Sequence, residues 1–239
     1  MTESEIGEMI EAIQNLDRMA KTVNYNNWIY KIIKPFIGKR ILEIGCGIGN
    51  MTKFFLDYEA IVAIDNSAEC IEIMKSKFSH YKNLRIVNHD ISNEGFGELR
   101  EFNFDTVVCI NVLEHIKDDL QALRHCYQLL KERGRLILFV PALKILYGTV
   151  DRADSHYRRY TRIELTKKLR EAGFVIKKAS YANFFGIFPW VLHSKILKRS
   201  LHPPRQMVFF DKFVPFFAFW EKLFLPPIGL SLLFVCRKG

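Results

Sequence analysis

Three glycines alternate with other residues directly after a short apolar run, in the segment I-L-E-I-G-C-G-I-G-N at 41–50. Gly45, Gly47 and Gly49 have no side chains where a strand gives way to a helix, so the backbone can turn sharply and approach a ligand. A dinucleotide-binding turn has the spacing G-x-G-x-x-G, and Asn50 stands where its last glycine is required. The segment therefore predicts a ligand held against the turn and disfavours a pyrophosphate.

Polar residues also stand at the ends of three later apolar runs. Asp65 closes A-I-V-A-I-D, where a carboxylate can accept hydrogen bonds from both hydroxyls of a ribose. The segment N-H-D-I at 88–91 follows the next run, and C-I-N-V-L-E-H-I at 109–116 contains the end of the fourth. Because the carboxyl ends of parallel strands meet at one edge of a sheet, these residues are expected to form one ligand site.

Short apolar runs alternate with amphipathic segments, as in parallel strands joined by helices. The strand candidates are 40–44, 60–64, 84–87, 104–110, 135–140, 174–180 and 230–236. The clearest helical segments are 3–20, 28–36, 67–78 and 117–131. The pattern predicts a Rossmann-like α/β fold, a mostly parallel seven-stranded sheet with helices on both faces.

Several helix ends carry capping signals. Ser67 is placed to cap the helix that follows the second strand. Gly134 stands where a C′ glycine would end the 117–131 helix. Thr161 has Glu164 three residues later, the spacing of a capping box, and the helix that follows is expected to end at Gly173.

The G-x-G-x-G turn with an acidic residue before it resembles motif I of the class I S-adenosylmethionine-dependent methyltransferases. The resemblance covers residues 40–141 and implies S-adenosylmethionine as cofactor, with S-adenosylhomocysteine as product. It implies that Glu43, or the carbonyl groups of Gly45 and Cys46, lie beside the amino-acid end of the cofactor. That end is zwitterionic, so the turn is also expected to offer amide donors to its carboxylate.

The same resemblance assigns residues at the later strand ends. Asp65 would hold the ribose, and Asn66 would flank the adenosine. Asp90 would take the adenine amino group, with the Ile91 backbone nearby. Asn111 would face the methionine portion.

A second resemblance lies in V-P-A-L-K-I-L-Y-G-T-V-D-R-A-D-S-H-Y-R-R-Y-T at 140–161. It is similar to a subgroup of the small-molecule branch with the signature Y-G-x-x-D…H-x-R-R-Y-T, some members of which occur with surface-polysaccharide or lipid-linked sugar functions. The chain is predicted to transfer the methyl group to an oxygen or nitrogen of a small acceptor that is apolar or lipid-linked, with a sugar as one option.

The rate of methyl transfer depends above all on how the methyl donor and the acceptor are positioned. An oxygen or amine acceptor also needs a base to remove its proton. Neutral histidine suits that role near pH 7, so His156 and His115 are the candidates. Arg159, with its neighbour Arg158, can bind an anionic group on the acceptor. Tyr160 is predicted to shape the reacting site, as is Tyr147. An alternative leaves Asp151, His156 and Arg159 as a salt-bridged loop that only shapes the site.

Charge is unevenly spread, with a net charge of +9 for the whole chain. Residues 1–143 carry 17 Lys/Arg and 20 Asp/Glu, whereas residues 144–239 carry 18 and 6. A basic half favours an anionic partner, so an RNA or protein methyltransferase is the first alternative, although nucleic acid is not the preferred partner. A non-catalytic binding protein on the same fold is the second.

Five scattered cysteines without C-x-x-C spacing argue against a disulfide framework or a zinc site, and no metal is predicted. The absence of a signal peptide or an 18-residue apolar stretch predicts a cytoplasmic location. Cysteine-nucleophile chemistry is disfavoured because Cys109 lies within an apolar strand. Nothing in the sequence indicates the oligomeric state.

The chain is predicted to be one domain: a helical cap at 1–38, a cofactor-binding core at 39–182, an aromatic insertion at 183–228 and a last strand at 229–239. Residues 183–225 contain ten of the twenty phenylalanines and two tryptophans, interspersed with lysine and arginine. The segment can be a lid over the acceptor, a peripheral membrane contact or plain core. A lid over an apolar or lipid-linked acceptor is favoured.

Overall fold

Seven strands form one sheet in the computed structural model, which describes residues 3–199 and 204–239. They are β1 (Arg40–Ile44), β2 (Ala60–Asp65), β3 (Leu84–Asn88), β4 (Phe104–Ile110), β5 (Leu130–Pro141), β6 (Phe174–Ala182) and β7 (Ser231–Lys238). The order is β3-β2-β1-β4-β5-β7-β6, with β1 to β5 parallel and β7 antiparallel to both its neighbours. The predicted mostly parallel seven-stranded sheet is confirmed.

Both faces of the central strands are buried, which explains why their sequences are nearly continuous apolar runs. Successive residues point to opposite faces, so Leu42 and Val62 pack in one cluster while Ile41 and Ile61 pack in another. The polar residues at the strand ends are therefore held at one edge by a core on either side.

Helices cover the sheet, and two of them precede its first strand. They are α1 (Glu3–Ala20), α2 (Val23–Ile33), α3 (Ala68–Phe78), α4 (Asp119–Leu129), α5 (Thr149–Ala153), α6 (Arg162–Glu171), α7 (Ile187–Trp190), α8 (Pro204–Asp211) and α9 (Val214–Phe224). A π-helical turn at 191–196 follows α7. Of the described helices, none combines the length and apolarity needed to cross a bilayer.

Two of the predicted caps are observed, and one is wrong. Ser67 Oγ accepts the Cys70 N–H at 3.1 Å, and Thr161 Oγ1 accepts the Glu164 N–H at 3.2 Å. The Glu164 carboxylate pairs instead with Lys144 Nζ at 2.7 Å, so the reciprocal half of the capping box is replaced by an ion pair. Gly134 is not a C′ residue, because α4 ends at Leu129 and β5 begins directly after it.

Two carboxylates hold the 183–228 segment in place, one against helix α2 and one against the segment's own first residue. Asp211 of α8 accepts the Asn24 and Tyr25 N–H groups at 3.0 and 2.8 Å, capping the first turn of α2. Glu221 of α9 accepts the Asn183 N–H at 2.9 Å, where the chain leaves β6. The segment lies between β6 and β7 as predicted; its residues 200–203, and residues 1–2 of the cap, fall outside the described part.

Candidate active site

The bend at 45–49 is held by its own amide groups. The Gly45 and Cys46 N–H groups both donate to Ile64 O, at 2.8 and 3.0 Å. The Gly47 N–H donates to Asp65 Oδ2 at 2.8 Å, and the Gly49 N–H donates to Cys46 O at 2.9 Å. These four amides, which were expected to serve a ligand carboxylate, are instead committed to internal hydrogen bonds.

The three glycines have positive φ angles of +69°, +51° and +91° in chain order. A Cβ atom on Gly45 would lie 2.2 Å from Val112 Cγ2, and one on Gly49 would lie 2.4 Å from the Phe78 ring. Gly49 lines none of the cavities described below and packs against α3, so its glycine serves packing rather than the predicted ligand contact.

A cavity of 740 Å³ lies over the carboxyl ends of β1 to β4, under helix α1; we call it the strand-edge cavity. Its walls include these predicted cofactor residues: Gly45, Gly47, Asp65, Asn66, Asp90, Ile91 and Asn111. Leu16 of α1 forms part of the cover, and its carbonyl oxygen accepts from Asn50 Nδ2 at 2.9 Å. The expected convergence of the strand ends is confirmed.

Backbone amides orient the carboxylates of Asp65 and Asp90. Asp65 Oδ1 accepts the Ser67 N–H at 2.9 Å, so both of its oxygens are oriented by backbone amides. Asp90 Oδ1 accepts the Ser92 N–H at 2.8 Å. Each carboxylate retains lone pairs on the cavity side, as hydroxyl or amino donors of a ligand require.

Glu43 and Cys46 line a smaller adjoining pocket of 150 Å³ together with Gly45, Gly47 and Asn111. Glu43 is buried and accepts a hydrogen bond from Thr52 Oγ1 at 2.6 Å. Burial raises the pKa of the Glu43 carboxyl to about 8, despite that bond. A cationic ammonium placed here would restore its negative charge, which agrees with the expected role. Burial also raises the pKa of the Cys46 thiol.

Asn111 stands where three cavities meet. It has φ of +53°, a left-handed conformation that asparagine tolerates better than most residues, and its N–H donates to Phe139 O at 2.7 Å. It lines the strand-edge cavity, the pocket beside Glu43 and a third cavity beyond β4.

That third cavity measures 530 Å³ and brings together His115, His156 and Arg159; we call it the histidine cavity. The two imidazole rings are nearly perpendicular, with centroids 4.6 Å apart. Burial, with His156 beside it, lowers the pKa of His115 to about 4, so its ring is neutral near pH 7. Burial alone would lower the pKa of His156, but its bond to Asp151 and the Glu114 carboxylate outweigh that effect and raise it.

Asp151 organises the predicted H-x-R-R-Y-T loop from a fully buried position. Its Oδ1 accepts from His156 Nδ1 at 2.9 Å and from Arg159 Nε at 2.8 Å. The Arg159 guanidinium also donates to Ala142 O and lies 4.1 Å over the Trp190 ring. The salt-bridged loop therefore exists, and it presents His156 to the cavity rather than hiding it.

Tyr160 requires a correction, because it is fully buried and does not line the histidine cavity. Its backbone forms a β-bridge with Ala142, which turns the ring inward, and its hydroxyl donates to Asp119 Oδ2 at 2.9 Å. Arg158 pairs with the same carboxylate at 2.9 Å instead of facing an acceptor. Both residues support the loop on the side that faces away from the histidine cavity.

Glu114 is the functional candidate that the sequence analysis missed. It lines the histidine cavity beside His115, is fully buried, and neither carboxylate oxygen has a hydrogen-bond partner among the described residues. Burial raises the pKa of Glu114 to about 7. The adjacency of glutamate and histidine in L-E-H-I was the available signal, but the sequence does not show that a glutamate so near a turn is buried.

Comparisons with known proteins agree with this geometry. Residues 42–136 match the family described as a methyltransferase domain. The ubiquinone biosynthesis O-methyltransferase of Haemophilus ducreyi is 32% identical over 123 residues, 47% of this chain and 49% of that protein. The one from Xanthomonas euvesicatoria pv. vesicatoria is 27% identical over 177 residues, 68% of this chain and 72% of that protein. The match therefore spans about half the length of the Haemophilus ducreyi protein.

Among solved structures, an S-adenosylmethionine-dependent methyltransferase from Mesorhizobium loti has a TM-score of 0.60 at 12% identity, over 85% of this chain and 92% of that one. Residues 42–136 thus match a methyltransferase domain, and the fold is shared with an S-adenosylmethionine-dependent methyltransferase, consistent with the class I resemblance. S-adenosylmethionine is the cofactor of such domains, and the strand-edge cavity is lined by residues that were expected to bind it.

Proposed function

We propose that this chain transfers the methyl group of S-adenosylmethionine to an oxygen or nitrogen of an amphiphilic, lipid-linked acceptor. The observation that carries the proposal is that its cavities adjoin one another through shared lining residues. Asn111 and His115 line both the strand-edge and the histidine cavities. Tyr25 and Trp190 line both the histidine cavity and a further, apolar one.

On the cofactor side, the chain's own residues supply binding and orientation. Asp65 is placed for the ribose, Asp90 for the adenine amino group and Glu43 for the ammonium. The cofactor, when bound, supplies a methyl group activated by its sulfonium. Asn111 lies at the opening between the two cavities, where methyl donor and acceptor would meet.

On the acceptor side, His156 is the proposed proton acceptor. The bond from its Nδ1 to Asp151 fixes the ring and leaves Nε2 for the acceptor's hydroxyl or amine. Asp151 also stabilises the imidazolium that forms, in the manner of a carboxylate behind a catalytic histidine. The proton would pass from the acceptor to His156 while the acceptor atom bonds to the methyl carbon, whose bond to sulfur breaks and releases S-adenosylhomocysteine.

The apolar cavity measures 190 Å³ and lies between the cap, α7 and the helices α8 and α9; we call it the aromatic cavity. Its apolar lining is Met19, Pro189, Trp190, Met207, Phe210, Val214 and Leu230. A hydrocarbon tail in this cavity would place its polar head at the histidines. This combination favours an amphiphile over a small polar metabolite.

The outer face of the same helices is apolar as well. Of the large hydrophobic side chains exposed in the described residues, 13 of 19 lie within 188–228. Phe216 and Phe219 of α9 are 58% and 63% exposed, and Arg205 and Lys212 border Phe209 on α8. Exposed phenylalanines with basic neighbours suit the interface of an anionic membrane. The proposal therefore places the enzyme in the cytoplasm, peripheral to a membrane.

The relatives favour oxygen as the methylated atom, since two of them are named for O-methylation in ubiquinone biosynthesis. The basic C-terminal half was the reason to consider RNA or protein. Part of that charge is neutralised by carboxylates of residues 1–143, where Lys168 pairs with Asp119 and Lys238 with Glu132. No specific observation favours the nucleic-acid alternative.

The proposal is tested with methyl-labelled S-adenosylmethionine and a total lipid extract. We expect label in the organic phase, in a product heavier than its precursor by one methylene. Sedimentation with phosphatidylglycerol vesicles should be reduced in Phe216→Ser/Phe219→Ser and unchanged in Ile163→Ser, whose side chain is 84% exposed elsewhere. Label transferred only to RNA or protein, or equal sedimentation of all variants, would contradict the proposal.

A further inference from the structure

Three side chains with metal-binding atoms converge in the histidine cavity. Glu114, His115 and His156 each offer one ligand atom, and these atoms all lie within 4.8 Å of one another. We propose that they bind a divalent first-row transition-metal ion. Two imidazole nitrogens and one carboxylate oxygen form a donor set that such ions accept while retaining open coordination positions.

The Glu114 carboxylate is the observation that first points to a ligand. Both oxygens are buried, and neither has a hydrogen-bond partner among the described residues. A buried carboxylate without partners costs free energy, and native structures almost always satisfy such groups. A cation between Glu114 and the two rings would give this carboxylate a partner and explain why the group is retained inside.

The hydrogen bond between His156 and Asp151 is a second, independent observation. His156 Nδ1 lies 2.9 Å from Asp151 Oδ1, which leaves Nε2 as the coordinating nitrogen. Metal-binding histidines commonly donate their other ring N–H to a carboxylate, which fixes the ring and increases its basicity. Arg159 holds Asp151 from the other side at 2.8 Å, so this support is itself anchored.

The charges around the cluster suit a dication. Glu114 and Asp151 are carboxylates, and Arg159 pairs with Asp151 only, which leaves Glu114 without a cationic partner among the described residues. The cluster also borders the proposed acceptor path, since all three donors line the histidine cavity. An ion there would bind an acceptor hydroxyl at an open position and lower its pKa, so that the proton would pass to solvent water and His156 would serve as a ligand of the ion rather than as the base.

The test uses tag-free, chelator-treated protein titrated calorimetrically with Zn²⁺ and, in parallel, spectroscopically with Co²⁺. We expect one ion per chain and visible Co²⁺ bands typical of nitrogen and oxygen donors. Glu114→Gln should weaken binding by about 10-fold or more, and His156→Ala should weaken it further. His80→Ala, which removes an exposed histidine outside the cavity, should bind as the parent does.

S-adenosylhomocysteine binding, measured on each variant, shows that it is folded. No binding of either metal, equal affinity in folded Glu114→Gln, or a thiolate-type Co²⁺ spectrum from the cysteines would overturn the metal site. Because the titrations contain neither cofactor nor acceptor, such a failure leaves the proposed methyl transfer standing, with His156 as the direct base.

Discussion

The amide N–H of Gly47 donates to Oδ2 of Asp65 at 2.8 Å, so the bend after β1 and the end of β2 are joined by one hydrogen bond. Gly47, whose backbone is expected to lie close to the cofactor, thus also orients the Asp65 carboxylate that is expected to bind the ribose. Loss of this hydrogen bond should therefore disturb both the bend at Gly47 and the orientation of the Asp65 carboxylate.

We first predict that Gly47→Ala weakens S-adenosylhomocysteine binding. At φ of +51° an alanine costs about 1 kcal/mol, and its Cβ would lie 3.2 Å from Leu16 of the covering helix. The control is Gly97→Ala, which has φ of +42° and nothing within 4 Å of its Cβ. Both variants should lose similar stability in urea, and only Gly47→Ala should lose affinity. Equal affinity in the two would mean that Gly47 serves only the turn.

The sequence predicted the cofactor half of the site because it depends on local rules. A glycine bend after a strand and acidic residues at strand ends are placed by the sheet itself, so Gly47, Asp65 and Asp90 fell where expected. The acceptor half depends on long-range packing. Which residue of R-R-Y faces inward was decided by the bridge between Ala142 and Tyr160, a pairing that no local pattern reveals.

The same contrast between local signals and long-range packing applies to the helix ends and to the aromatic segment. The caps on α3 and α6 were predicted from residues three positions apart. The Asp211 cap on α2 joins residues separated by 186 and 187 positions and left no sequence signal. The aromatic segment was recognised by composition, but its division into an inner face on the aromatic cavity and an outer exposed face required the structure.

His156→Gln should retain S-adenosylhomocysteine affinity and lose turnover by about 10²- to 10⁴-fold, the range for removal of a general base. His80→Gln, remote from the cavity, is the control and should keep full turnover. The measurement is initial-rate methyl transfer at saturating cofactor, with calorimetry on the same samples. Unchanged turnover in His156→Gln would refute the role.

Tyr160→Phe should lower stability without a matching loss of turnover. The buried hydroxyl donates to Asp119, and removal of that bond should cost about 1 to 2 kcal/mol of unfolding free energy. Tyr157→Phe, at a side chain 57% exposed, should leave stability unchanged. Urea unfolding measures the difference. A stable Tyr160→Phe protein with much reduced turnover would restore the catalytic assignment that the structure corrects.

Glu43 should make stability depend on pH in the direction opposite to most acidic residues. Burial raises its pKa from an ordinary 4.5 to about 8, so between these values the folded chain binds more protons than the unfolded chain. Stability contributed by this group is therefore complete below pH 4.5 and declines as the pH rises toward 8, by about 1 kcal/mol per pH unit.

Glu43→Gln cannot ionise, so its stability relative to the parent should increase steadily over that window. Glu59→Gln, an exposed control, should follow the parent curve. Urea midpoints at several pH values give the comparison. If the stability difference between Glu43→Gln and the parent stayed constant with pH, Glu43 would be charged in the free protein.

The most direct test of the account is calorimetric titration of S-adenosylmethionine into the parent chain and into Asp65→Ala, with Asp57→Ala as an exposed acidic control. We predict one binding site in the parent, unchanged affinity in Asp57→Ala, and a loss on the order of 100-fold in Asp65→Ala, as expected when a charged bidentate acceptor is removed. Equal affinity in Asp65→Ala and the parent would contradict the assignment of the strand-edge cavity to the cofactor.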